Sequence, residues 1–65
     1  MACTLTERQR EVLAMVSEGM TSKEVARELC VSKRTIDFHL DKIYGALGVS
    51  NRVQALRRVY ELGLL

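Results

Sequence analysis

The chain has 65 residues, 28% of them charged and none proline, and a formal net charge of +2. A fold of roughly 60 residues buries only about 60% of the surface its unfolded chain exposes, so residues 1–65 are expected to form one domain with one small core. No apolar run approaches the roughly 20 residues that span a bilayer and no basic-then-apolar leader is visible, which argues against a membrane or secreted protein and predicts a cytoplasmic one.

Cys3 and Cys30 are the only cysteines and His39 the only histidine. That is too few for a zinc site or a disulfide framework, and neither a metal nor a cofactor is expected. The charge is unevenly spread. Residues 1–30 hold four basic and five acidic side chains, net −1, whereas residues 31–65 hold six basic and three acidic, net +3. The basic half is where a phosphate backbone would dock.

Helix punctuation divides the chain into four segments. Thr6 and Gln9 form a capping-box pair, which satisfies the orphan amides at a helix start, and Gly19 supplies a left-handed stop. The first helix therefore spans about 7–18, with Val12, Leu13 and Val16 at helical spacing and Leu5 and Met20 flanking them. Glu7 and Glu11 share one face of it, and paired carboxylates without a pocket read as a solvated or ion-paired surface. Thr21 and Glu24 repeat the capping pattern for a second helix over about 22–30, whose stripe is Val25, Ala26 and Leu29. Val31 is expected to be a buried turn residue. Ser32 is a natural N-cap for a third helix, 33–47, stopped by Gly48. Ser50 is expected to cap a fourth over about 51–61, with Gly63 ending it. The fold class is thus all-α, four helices of which the second and third are joined by a tight turn.

At about 100° per residue, Ile36, Leu40, Ile43 and Leu47 fall within an arc of about 60° on the third helix, a stripe suited to a small core. The opposite face carries Arg34, Phe38, Asp41, Lys42 and Gly45, with Thr35 and Asp37 at its borders. Phe38 is the only phenylalanine, and a ring this size normally goes inside. Either it folds over a neighbouring helix, or it is held out for a partner and can lie against a thymine methyl in a major groove. On the fourth helix Val53, Ala55, Leu56, Val59, Tyr60 and Leu62 sweep about 180°, wider than the roughly 100° stripe of a one-sided surface helix. Part of this arc faces the core. The edge formed by Val53, Leu56 and Tyr60 is either a dimer interface or sunk deeper into the same core.

Nothing in the sequence points to an enzyme or to a small-molecule site. His39 has Asp37 and Asp41 nearby in sequence, but it lies at the edge of the core stripe while Asp41 points about 160° away, so a catalytic triad cannot form. The four glycines stand singly and build no phosphate loop.

The string from Leu5 to Leu62 resembles the DNA-binding domain of the LuxR/GerE (NarL/FixJ) class of bacterial transcription regulators. The opening LTERQREVL is similar also to the last domain of bacterial sigma factors. The ordered blocks EGMTSKEVA, RTIDFHL and LGVSNR are specific to the LuxR-type domain, because the sigma-factor domain lacks the last block and the helix behind it. The resemblance implies a compact four-helix helix-turn-helix domain, with a second helix that acts as scaffold, a third that reads DNA and a fourth that forms a two-fold dimer. It places Ser22, Lys23, Lys33, Arg34, Thr35 and Arg52 on the DNA backbone or groove edge, and Asp37, Phe38, Asp41 and Lys42 towards the bases. A helix N-terminus favours phosphate on physical grounds as well, through free amides and the dipole.

The implied partners are double-stranded DNA, a second copy of the chain and RNA polymerase. Relatives attach such an effector domain, as in response regulators, to an N-terminal receiver or ligand-binding domain. One departure is notable. Asp37 and Asp41 stand where many relatives carry Lys, Arg or a neutral polar residue, and two carboxylates repel a polyanion. An Asp can accept a hydrogen bond from cytosine N4, so either these residues confer selectivity or they are solvated, with Asp41 pairing to a nearby cation. The alternative to a DNA reader is a helical dimerisation module with weak DNA affinity.

Overall fold

The computed structural model describes residues 5–63, and the thiol of Cys3 lies outside them. The described residues form four helices, α1 (Glu7–Ser17), α2 (Ser22–Leu29), α3 (Lys33–Leu47) and α4 (Arg52–Leu62), with no strand among them.

Local chemistry fixes where each helix begins. The Thr6 hydroxyl accepts from the Gln9 amide at 3.1 Å, and the Gln9 side chain accepts from the Thr6 amide at 2.9 Å. Thr21 and Glu24 make the same reciprocal pair at 3.2 and 2.8 Å. Each box satisfies two donors that a helix start otherwise leaves orphaned. Ser32 Oγ takes the Thr35 amide at 3.1 Å and so starts α3.

The fourth helix departs from expectation by one residue. Its N-cap is Asn51, whose side chain accepts from the Gln54 amide at 2.9 Å, and Ser50 stands one position outside. Asn caps at least as well as Ser. This frame also lets the Gln54 side chain accept from the Ser50 amide at 2.9 Å.

The turn between α2 and α3 is built on an unusual residue. Cys30 takes the left-handed conformation, φ 59° and ψ 41°, and is the only non-glycine residue with positive φ among those described. Its amide reaches the Arg27 carbonyl and the Val31 amide the Ala26 carbonyl at 2.9 Å. This is the paired 5→2 and 6→1 closure of a Schellman end. Val31, expected to be buried, is 37% exposed. In a Schellman end the residue after the left-handed one packs back on the third residue from the helix end. Here that residue is Ala26, too small to cover a valine.

The core contains Val12, Leu13 and Val16 of α1, Val25 and Ala26 of α2, Ile36, Leu40, Ile43 and Leu47 of α3, and Ala55 and Val59 of α4. No polar or charged residue is buried among the described residues. α3 packs on each of the other three helices, and α1 also packs on α2.

The strain at Cys30 generates a prediction. An L side chain in this conformation costs roughly 1–2 kcal/mol, part of which glycine gives back through its freedom in the unfolded chain. Cys30 is exposed and unbonded, so little packing is lost with its side chain. Cys30→Gly is expected to raise the unfolding free energy by about 0.5–1 kcal/mol in urea titrations. A loss of stability would show that the thiol makes a favourable contact there.

Candidate nucleic-acid interface

The face of α3 opposite its core stripe is where the chain collects side chains that its own fold does not use. Phe38 is 58% exposed, so the ring does not fold over the core. Lys42, one turn further on, sits with its ammonium 5.4 Å from the Phe38 ring centroid, a cation–π distance. The His39 ring lies 6.2 Å from that of Phe38, tilted by 59°. Arg34, Asp41 and Lys42 are all exposed, as is Gly45. The outward surface of α3 is therefore a ring flanked by cations and one carboxylate.

The two acidic residues on this helix differ in circumstance. Asp37 is half-buried and its carboxylate is 2.8 Å from the Lys33 ammonium. The Lys33 ammonium first, and the Ser22 hydroxyl second, hold the Asp37 carboxyl below its ordinary value. This places the first residue of α2 beside the first turns of α3. Asp41, for which pairing to a cation is one of two readings, forms no ion pair among the described residues. Its neighbours three and four positions away are Phe38, Tyr44, Asp37 and Gly45, and no basic residue falls within helical reach. The pairing falls on Asp37 because Lys33 stands four residues before it.

The remaining sequence-predicted residues are distributed around these. Ser22 and Lys23 occupy the first two positions of α2. The capping box there engages the Glu24 amide and leaves the Ser22 and Lys23 amides pointing off the helix end. Lys33 and Arg34 take the corresponding positions of α3. Thr35 is partly occupied, since its hydroxyl lies 2.9 Å from that of Ser32. Arg52 opens α4 and is half-buried. Of the proposed dimer residues, Val53 and Tyr60 are 69% and 75% exposed, while Leu56 is partly buried against the core. The arc on α4 thus divides into a buried side, Ala55 and Val59, and an apolar side facing out.

The chain matches the family model described as GerE, bacterial regulatory proteins of the luxR family, over residues 3–59. The chain belongs to this family. It is 44% identical over 62 residues to the HTH-type transcriptional regulator AlkS of Alcanivorax borkumensis, a match covering 95% of this chain and 7% of AlkS. It is 38% identical over 64 residues to the transcriptional activator protein SolR of Ralstonia nicotianae, covering 98% of this chain and 27% of SolR.

Two solved structures superpose closely. The response regulator ChrA of a heme-sensing two-component system gives a TM-score of 0.92 at 32% identity, over 95% of this chain and 31% of ChrA. The transcription factor GerE gives 0.84 at 32% identity, over 91% of this chain and 88% of GerE. The chain spans a small part of these curated relatives and most of the length of GerE. The luxR-family unit is a DNA-binding helix-turn-helix domain of transcription regulators, and the family is not an enzyme class. Among the described residues no helix is long and apolar enough to cross a membrane.

Sequence reasoning did not anticipate the Lys33–Asp37 pair, although the i,i+4 spacing that creates it was legible. It also missed the Arg58 guanidinium, which donates to the Leu47 carbonyl at 3.4 Å and ties α4 to the end of α3. That contact joins residues distant in sequence, and no local pattern announces it.

Two carboxyls of this luxR-family domain yield a pH prediction. Glu24 is held below its ordinary value first by the Thr21 amide, and Asp37 first by Lys33. A group whose value is lowered on folding contributes stability that is complete above its unfolded value and is lost as the pH falls through its folded one. Thermal midpoints should therefore drop as the pH is lowered below about 4. The drop should be smaller in Glu24→Gln, which keeps the cap geometry without the charge, and in Asp37→Asn. Parallel curves for all three proteins would show that neither carboxyl contributes to acid sensitivity.

Proposed function

We propose that this domain reads double-stranded DNA by placing the outward face of α3 in the major groove, and that it does so as a two-fold dimer through α4. The observation that carries the reading is Phe38. The largest apolar side chain on the helix is held in solvent with a lysine against it, while the opposite side of the same helix forms the centre of the core. An α-helix with its side chains is about 10–12 Å across, and the major groove is about 12 Å wide. Phe38 is suited to a thymine methyl, Lys42 to guanine O6 and N7, and Asp41 to cytosine N4. Asp37 is the least free of the four base-facing candidates because Lys33 holds it.

Backbone contacts are assigned to Ser22 and Lys23 at the start of α2, to Lys33, Arg34 and Thr35 at the start of α3, and to Arg52. The exposed amides and dipole at the two helix starts support these assignments. Val53 and Tyr60, with Leu56 beneath them, form the dimer edge, which would set two recognition helices on successive major-groove faces of an inverted site. A larger regulator would carry this domain as its cytoplasmic effector, with a receiver or ligand-binding unit controlling it and RNA polymerase as a further partner. The match to one segment of the response regulator ChrA supports that arrangement.

Selection of bound duplexes from a random pool tests the proposal. An enriched motif with two inverted half-sites is expected, and a flat pool from a folded, dimeric domain would favour a protein-interaction module instead. Two substitutions separate the roles within the interface. Lys23→Ala should weaken binding to all sequences alike and reduce the salt slope by about 0.9. Phe38→Ala should change the preference at one or two base pairs with unfolding unchanged, and a fall in stability with preference intact would return Phe38 to the core. Val53→Glu combined with Tyr60→Glu should abolish cooperative binding to paired half-sites while single half-sites are still bound. Retained cooperativity would move the dimer contact elsewhere.

A further inference from the structure

The start of α3 is built against the electrostatics of its own helix. The N-terminus of a helix carries partial positive charge and favours anions. Lys33 and Arg34 nevertheless occupy its first two positions, and no acidic residue lies in its first turn. Two cations at that end await an anion. In the free domain the anion that Lys33 meets is Asp37, at 2.8 Å. The order of the pair, Lys before Asp, is the less favourable one for helix stability, so helix formation alone does not account for it.

We infer that Asp37 stands in for DNA phosphate in the free domain, holding the Lys33 ammonium and thereby limiting how strongly the domain grips DNA of any sequence. This rests on the DNA-reading proposal above. Carboxylate and phosphate oxygens are chemically equivalent acceptors for an ammonium, and both side chains of the pair are open to water, 61% and 47% exposed. Phosphate therefore approaches an ammonium that Asp37 still balances, and a lysine so neutralised releases less counterion.

Neither Phe38 nor Lys42 is a partner in the ion pair, whose ends are Lys33 and Asp37. Asp37 therefore weakens binding to every duplex alike, through the backbone contact of Lys33. The two carboxylates on the reading helix then have separate roles: Asp37 restrains a backbone contact, and Asp41, without a cation, faces outward.

The test is a cycle of wild type, Asp37→Asn, Lys33→Ala and the double variant, titrated by fluorescence anisotropy against a labelled duplex of arbitrary sequence and against a selected duplex. Several salt concentrations are used, with Asp37→Ser as a second version of the change. Freeing one phosphate contact should steepen the salt slope of Asp37→Asn by about 0.9, so its gain on the arbitrary duplex grows about threefold between about 200 and 50 mM salt. The gain should vanish in the Lys33→Ala background, and the ratio of selected to arbitrary affinity should stay unchanged. An equal gain without Lys33 would show only the removal of a negative charge and would overturn the inference, as would an unchanged slope. Weaker binding to the selected duplex alone would make Asp37 a base reader. Failure of the wild-type domain to bind any duplex in a salt-dependent way is a different result, and removes the DNA-reading proposal itself.

Discussion

The structure depends on the packing of one apolar stripe. Ile36, Leu40, Ile43 and Leu47 lie along one side of α3, all buried, and α3 is the helix against which the other three pack. Burying four such side chains contributes about 1.5–3 kcal/mol each, roughly 6–12 kcal/mol gross. Net stability for a chain of this size is about 3–10 kcal/mol, so nothing else in the molecule can replace the stripe. The same helix presents Phe38 and Lys42 on its far side. Core and proposed reading surface are thus two faces of one rigid element, and the position of each outward side chain is set by the burial of four inward ones.

The ends of the helices make that packing specific. Capping boxes at Thr6 and Thr21, and side-chain caps at Ser32 and Asn51, fix where each helix starts. The Schellman closure at Cys30 then sends the chain from α2 into α3 within three residues. That turn sets Ser22 of α2 close to Asp37 of α3. An extended linker would leave α2 and α3 free to pack differently, and the juxtaposition would be lost.

Most of the fold was legible in the sequence because it is encoded locally. Cap residues, glycine stops and a 3.6-residue apolar period each act within a turn or two, and they located all four helices to within a residue or so. The errors have local causes too. Ser50 and Asn51 are both good caps, and only the geometry of Gln54 selects Asn51. Val31 is apolar and follows a helix, but the small Ala26 beneath it cannot bury it. The site was less legible. The outward face of α3 follows from its wheel, whereas the state of Asp37 needed the rotamer of Lys33 and the packing of α2. The link from Arg58 to the Leu47 carbonyl was out of reach because the partners are eleven residues apart in sequence and meet only when α4 folds back.

The family to which the chain belongs and the geometry of its third helix both support the proposed use, in which the inward face is spent on stability and the outward face is left for DNA. Backbone amide shifts in a heteronuclear NMR titration with a selected duplex measure this division most directly. The account predicts the largest changes at residues 22–23, 33–35, 38 and 41–42, with α1 and the buried side of α4 nearly unmoved. Changes concentrated on α1, or spread over the exposed edge of α4 with α3 silent, would contradict it.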